Sequence, residues 1–170
     1  MKKLLLTIAI ALFAFASAGA QNVGYINTEI ILNAMPEYLK AQQEIDAAAE
    51  RYKSDIESRM DILDDMYKSY QSQKDRLSSS MRTQKENEII NYEREVQKRQ
   101  QTFFGEDGVM AKKSETLLTP IKEKVQKAVE YVAERHNCTM IVDISVAAGV
   151  VYTNPKYNYT DDVKEYLNIK

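Results

Sequence analysis

The stretch from Glu37 to Arg135 holds one proline, Pro120, and two glycines, Gly105 and Gly108, so little in it can end a helix. Steps of four and three from Tyr38 select Tyr38, Gln42, Ile45, Ala49, Tyr52, Ile56, Arg59, Leu63, Met66, Tyr70, Gln73 and Leu77. Nine of these twelve are apolar or Tyr, which is the spacing of a coiled-coil seam. The spacing returns in Ile89, Tyr92, Val96, Arg99 and Phe103, and again in Leu118, Ile121, Val125, Ala128 and Val132. These two sets differ in phase, because fifteen residues separate Phe103 from Leu118 where two heptads need fourteen. One extra residue turns a seam by roughly 100° unless the helix breaks or overwinds locally.

Two places compete for the chain reversal. FGEDG, ending at Gly108, has the better turn chemistry. A turn there leaves helices of roughly 69 and 27 residues, unequal by about 60 Å, with the excess unpaired. A turn near Ser78–Ser80 gives arms of about 42 and 50 residues and pairs both seams. The sequence therefore predicts a hairpin arm over 36–135 with its tip within 78–86 and a helix break near 105–108. Folded this way, Met66, Tyr67 and Tyr70 fall opposite Phe103 and Phe104.

Short β-prone runs lie outside the arm. Val23 to Asn27 reads as a strand, with Thr28 capping a short helix after it. Thr139 to Ile144 and Val150 to Tyr152 read as two further strands joined by a turn at 145–149, and Thr160 reads as the cap of a last helix. Residues 21–35 and 136–170 thus form a β-rich body, an α+β appendage to a mostly helical chain. About 50 residues bury little core alone, so association of several bodies is expected. The residues expected to carry it are Val23, Tyr25, Ile26, Ile141, Val142, Ile144, Val150, Val151 and Tyr152. The number of chains does not follow from burial.

Met1-Lys2-Lys3, the apolar run Leu4–Phe15 and Ala18-Gly19-Ala20 read as a secretory leader over 1–20, which predicts an exported, soluble protein. Without Lys2 and Lys3 the chain holds 21 Lys and Arg against 25 Asp and Glu, a formal charge of −4. That balance disfavours nucleic acid and gives no support to contact with an anionic membrane surface. Cys138 is the only cysteine, so no internal disulfide forms. One histidine, no glycine-rich phosphate loop and no HExxH point away from catalysis, and no cofactor is expected. His136 and Cys138 alone are too few ligands for a metal. Asn154-Pro155 reads as a turn initiator before the last helix, simpler than an aromatic clamp.

VGYINTEIILNAMPEYLKAQQEI, LLTPIKEKVQKAVEYVAERHNCTMIVDIS and GVVYTNPKYNYTDDVKEYL together resemble the Skp (OmpH-like) family of periplasmic chaperones along essentially the whole mature chain. The resemblance implies a periplasmic homotrimer with a β-rich body and three helical-hairpin arms. Their cavity would hold unfolded outer-membrane proteins without ATP. Well-studied relatives are strongly basic, a property this chain lacks. Seven Met and eleven Tyr without Trp suit weak, adaptable apolar contacts. Tyr67, Phe104, Val109 and Met110 are the expected client contacts, the last three because they leave the seam at the predicted break. A structural or adaptor coiled-coil protein of the envelope is the competing reading.

Overall fold

The computed structural model describes residues 22–169; the leader expected over 1–20 lies outside them. The elements are β1 (Asn22–Ile26), α1 (Thr28–Asn33), α2 (Pro36–Gln73), a 3-10 turn (Lys74–Arg76), α3 (Ser79–Phe104), α4 (Val109–Arg135), β2 (Cys138–Asp143), a second 3-10 turn (Pro155–Tyr157) and α5 (Thr160–Tyr166). Among the described residues two compact units result: 22–34 with 125–169, and Met35–Lys124. No helix among the described residues is long and apolar enough to cross a membrane.

In the unit Met35–Lys124, Pro36 opens α2 at a position where a missing N–H costs nothing. Ala41, Ala48, Ile56 and Tyr70 of α2 are buried, with Ile89 and Val96 of α3. Each large apolar side chain removed from water this way contributes roughly 1.5–3 kcal/mol. The chain reverses at Lys74–Ser78, N-terminal of most of the 78–86 expected for the tip. The Ser78 side chain accepts from Met81 N and starts α3, so the serine cluster serves as a helix cap. The register then runs Tyr70 to Glu86, Arg59 to Glu95, Asp55 to Arg99 and Tyr52 to Phe103. This corrects the expected height match: Tyr52, and not Met66, Tyr67 or Tyr70, faces Phe103. The displaced tip slides every partner along the arm.

Between α3 and α4 the backbone doubles in on itself. Gly105 N donates to Gln101 O at 2.8 Å, Gly108 N to Gly105 O at 2.9 Å, and Lys112 N to Gly108 O at 3.1 Å. A Cβ on Gly105 would stand 2.4 Å from Gln101 O, and one on Gly108 would stand 2.9 Å from the carbonyls of Phe103 and Gly105. Close backbone approach, not a positive φ, requires glycine at both positions.

In the other unit β1 and β2 pair in parallel, with Val23 opposite Met140 and Ile26 opposite Asp143. The outer side of β1 is met at Tyr25, whose carbonyl accepts from Tyr159 N at 2.9 Å. The Tyr159 ring lies so close over β1 that a Cβ on Gly24 would be 2.3 Å from it. Tyr25, Ile26, Ile31, Val125, Ala128, Val132, Tyr159, Val163 and Leu167 are this unit's buried apolar residues. Val150, Val151 and Tyr152 form no strand, against expectation; Val151 is 98% and Tyr152 81% exposed. β2 is committed to β1, and the later segment reaches the sheet only at Asn158, which leaves 150–152 without a ladder partner among the described residues.

Polar side chains tie the ends of this unit. Asn27, not Thr28, caps α1 by accepting from Ile30 N at 3.0 Å. Thr28 instead donates to Asp143 through its N–H at 3.1 Å and through its hydroxyl. Ser145 adds N–H and hydroxyl donors to the same carboxylate, at 3.0 and 2.7 Å. Burial opposes ionisation of Asp143, but these hydrogen bonds outweigh it and hold the carboxyl below its usual range. Thr160 likewise serves another role than cap: its hydroxyl accepts from Asn27 N at 3.0 Å and donates to Asn158.

Candidate functional site

An arm that pairs its own seam still carries apolar side chains off the seam. Met60 and Tyr67 are seven residues apart on α2 and so share one flank; Ile90 and Phe104, fourteen apart, share a face of α3. All four are exposed, as are Ile62 and Val109. Of the expected client contacts, Tyr67, Phe104 and Val109 are therefore open to solvent and Met110 is half-buried. They do not form one patch. Phe104, Val109 and Met110 flank the Gly105–Gly108 loop, whereas Tyr67 stands about 22 Å further along α2 than Tyr52, the residue stacked on Phe103. Met60, Ile62 and Ile90 were not among the expected contacts; the signal was available as apolar residues outside the heptad positions.

The middle of the arm is fixed by charge and stacking. Asp55 accepts from Arg99 Nε at 2.6 Å and Arg59 Nε at 3.3 Å, and Arg59 reaches Glu95 at 3.4 Å. Its carboxyl is held below the usual range, chiefly by the Arg99 hydrogen bond. Arg99 also lies 5.4 Å from the centroid of the Phe103 ring, which stacks on Tyr52 at 4.2 Å. These contacts face the partner helix and fix register, so the open residues on either side are the ones free to meet another molecule.

In the body, Val23 and Val150 are exposed, Ile141, Val142 and Ile144 half-buried, and Tyr25 and Ile26 buried. Among the described residues β2 pairs with β1 alone, so its outer edge offers unpaired backbone groups. Val146, 80% exposed, is a further open apolar residue of this unit, outside the expected set. His136 Nε2 lies 2.9 Å from Asp162 Oδ1 and its ring stacks on Tyr159 at 4.3 Å, so its neighbours are a carboxylate and a ring. Among the described residues no cluster of His, Cys, Asp and Glu has metal-binding geometry.

No curated protein sequence matches the chain. A crystal structure assigned as a candidate outer membrane chaperone (OmpH-like) from Caulobacter crescentus CB15 has a similar fold, with a TM-score of 0.65 over 89% of this chain and 86% of that one, at 13% identity. At that identity the likeness concerns the fold. The family described as outer membrane protein (OmpH-like) matches residues 22–167, nearly all of the described chain, and the protein belongs to this OmpH-like family.

Proposed function

We propose that the protein is an ATP-independent periplasmic chaperone, a holdase that keeps unfolded outer-membrane proteins in a cavity between the helical arms of a homotrimer. The observation that carries this reading is the arm's supply of exposed apolar side chains, Met60, Tyr67, Ile90 and Phe104, on helices whose seam is already paired. Apolar contacts that are scattered and shallow suit a client with no fixed shape, since Met and Tyr adapt to many partners at small cost. Family membership and the similar fold of the candidate chaperone add support. Self-association is supported by the open β2 edge and by the uncovered 150–152 segment, which can supply each other's missing partner between copies.

Diluting a urea-unfolded barrel protein into buffer tests the reading. The mature protein should suppress aggregation without nucleotide at about one oligomer per client, with a free mass of three chains. Benzophenone probes at positions 104 and 110 should label the bound client. Undiminished aggregation, with a single folded protein retained in a pull-down, would instead favour an envelope adaptor.

A further inference from the structure

Near the chain reversal a cleft of about 320 Å³ opens beside the seam. Ile62, Met66 and Tyr70, spaced by four on α2, form its apolar wall with Ile89 of α3. Its rim is charged. Lys85 is paired with Glu88 at 2.7 Å, whereas Asp65 has no ion-pair partner among the described residues. Asp61 stands one turn earlier on α2, also unpaired, and Lys68 is engaged by Asp64. Asp64 first, then Asp65 and Asp61, raise the affinity of the Lys68 ammonium for its proton, so these three carboxylates act together along this stretch of α2. The surface is therefore an apolar slot with two unpaired carboxylates on its α2 side, while Arg82, which donates to Leu77 O at 3.2 Å, stands at the end nearer the reversal.

We propose that this cleft takes a bulky apolar side chain from an unfolded polypeptide whose neighbouring residues are Lys or Arg. This rests on the chaperone reading and adds a client preference to it. The apolar wall is indifferent to sequence context, whereas the two unpaired carboxylates attract flanking cations and repel flanking anions. The mature chain's acidic balance acts in the same direction.

Two fluorescent peptides with one shared Phe-Leu core, flanked by Lys or by Glu, distinguish the idea by polarisation titration against the full mature protein. The Lys-flanked peptide should bind about fivefold more tightly at low salt, and the gap should close at 0.5 M NaCl, the range expected for a few exposed ion pairs. Asp61→Asn with Asp65→Asn, both on the solvent side, should remove the gap while circular dichroism stays unchanged. A benzophenone probe in place of Ser69, on the cleft lining, should label the Lys-flanked peptide. Equal affinities, a gap that survives both Asn changes, or no labelling at 69 would overturn the proposal. Aggregation of an unfolded barrel protein, followed in parallel, keeps the two readings apart: suppression without the peptide preference overturns the cleft alone, and absence of suppression overturns the chaperone reading.

Discussion

Asp143→Ala removes one carboxylate that accepts four hydrogen bonds. Two, from Ser145, are local to the chain; the other two come from Thr28, 115 positions away, and join the end of β2 to the start of α1. Hydrogen bonds to a charged acceptor are worth roughly 1.5–3 kcal/mol each before water replaces part of them. The site is half-buried, so the two tertiary bonds together should contribute about 2–4 kcal/mol, helped slightly by negative charge at the α1 N-terminus. Amide exchange of Tyr25, Val142 and Ile144 reads this directly: protection should fall by about 30- to 1,000-fold in the alanine variant. Asp143→Asn keeps an acceptor and loses the charge, so the drop should be about tenfold. The folded carboxyl titrates below its ordinary value of 3.8, so its contribution is fully present above that value and is lost as pH falls through the folded pKa. The gap between wild type and the Asn variant should thus be constant from pH 5 to 7 and shrink below pH 4. Unchanged protection in the alanine variant would refute the reasoning, as would a gap that widens in acid.

Other outcomes follow from the same contacts. Gly105→Ala forces a Cβ against the Gln101 carbonyl and should lower the urea midpoint of the arm by an amount equivalent to about 1–3 kcal/mol. Gly24→Ala collides with the Tyr159 ring and should raise exchange at Tyr159 N, whereas Gly149→Ala, with nothing near its Cβ, should cost less, through its φ of 89° alone. If copies join through this segment, Val151→Asp with Tyr152→Asp should reduce the oligomer mass seen by light scattering while leaving helix content unchanged, because both side chains are largely exposed.

Much of the arm was legible because a heptad repeat reports its own burial: Ile56, Tyr70, Ile89, Val96, Ile121, Val125, Ala128 and Val132 were all placed on seams and are all buried. The reversal was less legible, since Ser78 can cap a helix as readily as it can sit in a turn, and local chemistry does not choose between them. Sliding the tip was enough to carry Tyr67 away from Phe103. The 150–152 segment has strand propensity without a strand, because propensity describes a residue and pairing needs a neighbour. Thr28 and Thr160 were read as caps; their tertiary partners, Asp143 and Asn27, lie too far along the chain for spacing to reveal.

The parallel pairing of β1 with β2 also orders events in time. A parallel pair needs a crossover, and here the crossover includes the whole arm, so that Asn27 meets Thr160 across 133 positions. The arm, built from shorter-range pairings, can form while the chain is still being made; the body must wait for its last forty residues or so. Until then β1 lacks its β2 partner and the body is unfinished. Under the proposed self-association, completeness is thereby checked: a chain cut short before β2 would have an arm but no finished body to offer a second copy.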